Sequence, residues 1–183
     1  MIKTMNLTLA LALAGTALPA AAQTPPPPPP AEAKMQAQPY VMAAGKSDLY
    51  EINSSQIAVQ KSQNPAVKRY AQMLITHHQK TTAATMAAAK KAGLNPPPPA
   101  LDAGATASIS ELRSASPADF DRIYLAQQVP AHQAALDLHK SYGAGGDQPA
   151  LRTSAKTAVP IVQQHLTAAE RMLKTAPAGH KGM

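Results

Sequence analysis

Residues 93–104 read GLNPPPPALDAG, and the fold turns on what this stretch does. Four consecutive prolines lack the amide protons a helix needs and clash with the turn before them, so the segment cannot be helical. Helical signals flank it on both sides. Upstream, from Pro39 to about Ser62, Val41, Gly45, Leu49, Ile52 and Val59 follow a stripe near the 3.6-residue period, interrupted at Gln56. Asn64 then offers a cap and Pro65 a first helical position, which predicts a second long helix to about Ala92, ended by Gly93. Downstream, ATASISELRSA allows a short helix. Ser116, Pro117 and Asp119 then predict the start of a third long helix that reaches Tyr142. The loop GAGGD and the pair Gln148–Pro149 open a fourth, ending near Thr175. No strand pattern competes.

Each long helix has about 24–28 residues and so spans about 36–42 Å. Residues 93–116 are long enough to cross that whole distance, which would make the second and third long helices parallel. The expected fold is therefore all-α, a ferritin-like four-helix bundle with a long crossover between helices two and three. NPAVKRYA (64–71) and QPALRTSA (148–155) share a proline, a branched apolar residue, a base and a later alanine, so the two helical hairpins resemble each other faintly.

The chain begins MIKTMNLTLALALAGTALPAAAQT, with Lys3, an apolar run from Leu7 to Leu18, and the small residues Ala20, Ala21 and Ala22. This is the pattern of a signal peptide cut after about Ala22. The run is too short for the ~20 residues of a spanning helix, so no transmembrane segment is expected after cleavage. Residues 1–22 are thus expected to be a signal peptide, 23–38 a proline-rich spacer, 39–175 the bundle, and 176–183 a flexible tail. The implied location is exported, either periplasmic or surface-associated. There is no cysteine, so disulfides and thiolate metal sites are excluded.

The formal charge is +7, and loss of Lys3 would leave +6. The bases are spread along the whole chain, and with 5 Tyr, 1 Phe and no Trp stacking platforms for nucleic acid are not expected. The helical core is rich in alanine, which leaves homo-oligomerisation through a remaining apolar face open. No Ser–His–Asp motif, phosphate-cradling loop or closely paired carboxylates appear.

Four polar residues carry the functional reading. Glu51 lies 14 residues before Pro65 and His78 lies 13 after it, while His132 lies 17 before Pro149 and His165 lies 16 after it. Each is near mid-helix, although the GAGGD loop could offset His132 from His165 by up to about 9 Å along the axis. His78, His132 and His165 each fall on the apolar stripe of their helix. Glu51 is flanked by Ala44, Asp48, Ser55 and Ala58. One inward polar group from each of four helices is how such bundles build metal sites. Di-iron bundles use Glu-x-x-His pairs, whereas the residues three before these histidines are Ile75, Val129 and Val162. A single transition metal ion (zinc, copper or iron) suits the set better. The same placements also allow a buried polar network without metal. His77, Asp121 and His139 are candidates for supporting positions around the four.

YEINSSQIAVQKSQNPAVKRYAQMLITHHQKT, FDRIYLAQQVPAHQAAL and PALRTSAKTAVPIVQQHL, taken in order, resemble an exported bacterial family known as domain of unknown function 4142. That family is often labelled a predicted outer membrane protein and is classed as ferritin-like. The resemblance spans about residues 38–175 and implies a helical bundle. Glu51, His78, Asp121, His132 and His165 match positions typical of the family. His77 departs from it, because Asp usually stands there and would orient the neighbouring imidazole. The expected function is a metal-binding or stress-related module. A metal-dependent oxidoreductase and a structural or interaction module without metal are the alternatives.

Overall fold

The computed structural model describes residues 29–176, and these form five helices and no strand. The expected signal segment, the start of the spacer and the tail from Pro177 onward lie outside the described residues. The helices are α1 (Ala37–Lys61), α2 (Pro65–Lys91), α3 (Ala103–Ser114), α4 (Phe120–Gly145) and α5 (Pro149–Thr175).

Local chemistry explains most of the boundaries. The Asn64 side chain accepts the Ala66 N–H at 2.9 Å and Pro65 takes the first position of α2, where its missing donor costs nothing. Gly93 ends that helix at φ +75°, a left-handed conformation that a residue with a Cβ rarely adopts. Asp102 caps α3 through the Ala105 N–H at 2.8 Å and holds Lys46 of α1 at 2.7 Å.

Three boundaries differ from the sequence reading. A short 3-10 turn, Ala31–Lys34, precedes α1, and Ala33 within it is fully buried. The ordered domain therefore begins before Pro39, because a small apolar side chain anchors the end of the spacer. Ser116 bonds to Asp119 through both backbone and carboxylate, but this closes only a turn, and α4 starts at Phe120. At its other end α4 continues through Gly143 to Gly145, so the loop is shorter than GAGGD. Both α4 and α5 run unbroken through their interior prolines, Pro130 and Pro160.

The chain ends of the helices sort into two apolar clusters. One joins Tyr40, Ala89, Leu138, Tyr142 and Leu151, from the start of α1, the end of α2, the end of α4 and the start of α5. The other joins Ala58, Leu74, Leu112, Phe120, Tyr124 and Ala169, from the opposite ends of the same helices and from α3. Hence α2 and α4 run in the same direction, and the crossover carrying α3 travels the length of the packed helices. α1 packs along α2 and α4 along α5, and the hairpins meet through α2 with α5 and α1 with α4. All six aromatic residues are buried, most of them in these two end clusters. Close packing brings the crossover onto α1 at Gly45, where a Cβ would stand 3.3 Å from Pro99 Cβ.

Lys61, the last residue of α1, ties the crossover down. Its ammonium donates to the carbonyl oxygens of Leu112 (3.1 Å), Arg113 (2.6 Å) and Ala115 (2.9 Å) and sits 5.5 Å from the centre of the Phe120 ring. These are carbonyls that the end of α3 leaves without helical partners. Lys61→Met keeps the apolar stem but removes the donor. It should lower the unfolding free energy by about 1–2 kcal/mol, as read by urea denaturation.

Candidate metal centre

Between the two apolar ends lies a layer of histidines. His78 on α2, His132 on α4 and His165 on α5 are 2%, 1% and 0% exposed. Their ring centroids form a near-equilateral triangle, with sides of 5.6 Å (His78–His132), 5.2 Å (His78–His165) and 5.3 Å (His132–His165). Each offers one ligand atom, and these atoms lie within 4.8 Å of one another. The His132 and His165 rings lie 5.3 Å apart, closer than the offset of up to about 9 Å allowed for, and the extension of α4 into the glycine-rich segment shortens the loop that would have separated them.

On each ring one nitrogen is committed. His78 Nδ1 bonds Asp48 Oδ1 at 2.7 Å, His132 Nδ1 bonds the Gln128 carbonyl at 2.9 Å, and His165 Nε2 bonds His77 Nδ1 at 2.8 Å. The remaining nitrogens, His78 Nε2, His132 Nε2 and His165 Nδ1, are buried and have no hydrogen-bond partner. The committed nitrogens hold the orientation of each ring, as outer partners do around metal-bound imidazoles, and the Asp48 and Gln128 oxygens, which can only accept, place a proton on Nδ1 of His78 and of His132. What they leave uncommitted is one buried nitrogen on each ring.

Asp48 is the residue that the sequence reading missed. It was counted among the small neighbours of Glu51, yet it is 5% exposed and grips His78. Its Oδ2 accepts from Thr81 (3.0 Å) and Thr82 (2.8 Å). The carboxylate that orients His78 thus comes from α1, across the helix pair. His77 is half-buried and stacks on His165 at 5.1 Å, which places it in a supporting position.

Glu51 lies beside the trio without joining it. Its Oε1 is 3.7 Å from His132 Nδ1, on the far side from the free nitrogen, and neither carboxylate oxygen has a hydrogen-bond partner. His139 and Asp121 stand further off, about 10 Å and 16 Å from His132 along α4 by helical rise. His139 shares a 3.0 Å hydrogen bond with Tyr40, and Asp121 near the start of α4 has a buried oxygen without a partner.

The electrostatics favour neutral imidazoles at two of the three corners. Burial and the charge of His78 push His132 down to about 3. Burial, with His132, His78 and His77, pushes His165 down to about 2. Burial also pulls His78 down, but the hydrogen bond and charge of Asp48, together with Glu51, outweigh it and the net shift is upward. Burial raises Glu51 to about 7. Neutral rings are the metal-ligating form.

Residues 22–172 match the family described as a domain of unknown function, DUF4142. The chain belongs to the DUF4142 family. Solved structures share its helical fold at low identity. CopM in the Cu(I)-bound form superposes with a TM-score of 0.65 at 17% identity, covering 76% of this chain and 96% of that one. CopM in the Cu(II)-bound form gives a TM-score of 0.65 at 15% identity, covering 76% and 97%. A DUF305 fragment from Deinococcus radiodurans gives a TM-score of 0.67 at 15% identity, covering 81% and 99%. No curated protein matches this DUF4142 chain. None of its helices among the described residues is long and apolar enough to cross a membrane.

Titration of the metal-free protein should expose the strain in this layer. The carboxyl of Glu51 moves from 4.5 to about 7 on folding. Between those values the folded chain holds a proton that the unfolded chain has lost, so this group's contribution to stability falls as pH rises. Glu51→Gln should therefore stabilise the metal-free protein at pH 8 by about 3 kcal/mol and change little at pH 4. The depressed histidines act in the opposite sense, with stability lost as pH falls below 6.5. Urea unfolding of both variants at the two pH values reads the difference.

Proposed function

We propose that this DUF4142 protein is an exported metal-binding module, a ferritin-like four-helix bundle with one long crossover. In this reading His78, His132 and His165 hold a single transition metal ion. The observation that carries it is a group of three buried imidazoles that bring one ligand atom each within 4.8 Å of one another and each keep a buried nitrogen without a partner. Buried polar atoms in native proteins are nearly always satisfied, and an unpaired one costs about 1–3 kcal/mol. One cation bound to the three lone pairs would remove the deficit at all three corners together.

The donor set narrows the choice of ion. Three imidazoles without a thiolate suit zinc, copper or iron and discriminate against magnesium or calcium. Copper has separate support, since the superposed CopM structures carry copper in two oxidation states. Glu51, fully buried with one oxygen 3.7 Å from His132 Nδ1, would balance the charge of the ion. Asp48, the Gln128 carbonyl and His77 orient the ligands. The export reading rests on the signal-peptide pattern of residues 1–22.

Binding should be stoichiometric at one ion per chain, measured by metal analysis after dialysis. His132→Ala should weaken affinity by more than the roughly 10–100-fold expected from losing an outer partner such as Asp48. Ion at a hundred times its dissociation constant should stabilise the wild type by about 2.7 kcal/mol and leave the His132→Ala protein unshifted. A melting temperature insensitive to zinc, copper and chelator alike would leave the histidines as a core polar network.

A further inference from the structure

An ion bound by three side chains this deeply buried has to reach them. Beneath the proline crossover, α1 and α2 enclose a pocket of about 80 Å³. Pro97 and Pro99 form one side of it and Met42 and Met86 contribute from the two helices. Met86 is 39% exposed, one of two large apolar side chains left in solvent among the described residues. Asp48 is the only carboxylate in the wall, and it is the same residue that bonds His78 at 2.7 Å. The pocket and the histidine layer therefore share a residue.

The chemistry of the wall selects among ions. Its lining is almost wholly apolar, so a strongly hydrated divalent ion would lose water there without adequate replacement. Thioethers are soft, neutral donors that suit Cu(I) and not hard cations. Both Asp48 oxygens already accept hydrogen bonds, from His78, Thr81 and Thr82. The carboxylate is thus a fixed negative charge in the wall of the pocket and not a ligand that would trap the ion. Two thioethers hold a soft cation less firmly than three imidazoles backed by oriented partners, so the gradient of donor strength runs inward.

We propose that this pocket is the loading site through which a soft monovalent cation, Cu(I) or Ag(I), passes from Met42 and Met86 to the histidine trio. The proposal rests on the metal-binding reading above. It gives the methionines and the crossover a role, with Gly45 admitting Pro99 so that the pocket has its outer wall.

The test uses Met42→Leu combined with Met86→Leu, a swap that keeps volume and apolarity and removes only the sulfur. Uptake of Cu(I) from a chromophoric chelator is followed in stopped flow, under conditions where the rate depends on protein concentration. Uptake of Zn(II) from a fluorescent chelator is followed in parallel. The expected result is a Cu(I) loading rate at least about tenfold slower in the double variant, with Zn(II) uptake and the equilibrium Cu(I) affinity unchanged. Cu(I) loading at the wild-type rate, or equal slowing of both metals, would overturn the assignment. A wild-type chain whose histidines bind no Cu(I) at equilibrium fails the metal-binding reading itself, and the same titration reveals this before any variant is made.

Discussion

Three buried imidazoles from three helices, each with one ring nitrogen left without a hydrogen-bond partner, are the constraint around which the rest of this molecule is arranged. Such a layer is unfavourable on its own, because lone pairs are removed from water and given nothing in return. The ring rotations that would relieve it are blocked at each corner by a different device. A carboxylate holds His78, a backbone carbonyl one turn back on the same helix holds His132, and a neighbouring imidazole holds His165. The two larger apolar clusters lie at the ends, and two smaller ones, around Leu136 and Leu166 and around Tyr50 and Ile109, lie along the middle of the helices.

Most of the helical architecture was readable in the sequence, because its signals are local. Pro65, Pro149 and Gly93 act through backbone sterics within one turn, and they placed the starts of α2 and α5 and the end of α2 where the structure has them. The parallel course of α2 and α4 also followed, since four prolines forbid helix and residues 93–116 can reach from one end to the other. Ser116–Pro117 misled because a capped turn and a capped helix begin with the same residues. Only the packing of Phe120 into the core decides where the helix itself starts. Ala33 was invisible for a related reason, since an alanine after a proline run carries no periodicity to mark it as buried.

The histidine trio was legible because three rings on three apolar stripes, at similar distances from their turns, leave few places to go. Asp48 was not. It lies three residues before Glu51 on the same side of α1, and which of two carboxylates reaches His78 depends on the relative rotation of α1 and α2. Side-chain periodicity within either helix carries no information about that angle. Nothing in the chain pointed to which residue supplied the orienting carboxylate.

The two hairpins contribute unequally to this layer. α1 and α2 bring Asp48 and His78 with its orienting threonines, while α4 and α5 bring His132 and His165. Neither half contains three donors, so neither can complete a coordination shell until the halves have docked in register. An ion seated there would work as a rivet through both hairpins, and its retention would report that they had come together correctly. With no cysteine in the chain to form a covalent brace, such an ion would make metal supply a quality check on assembly.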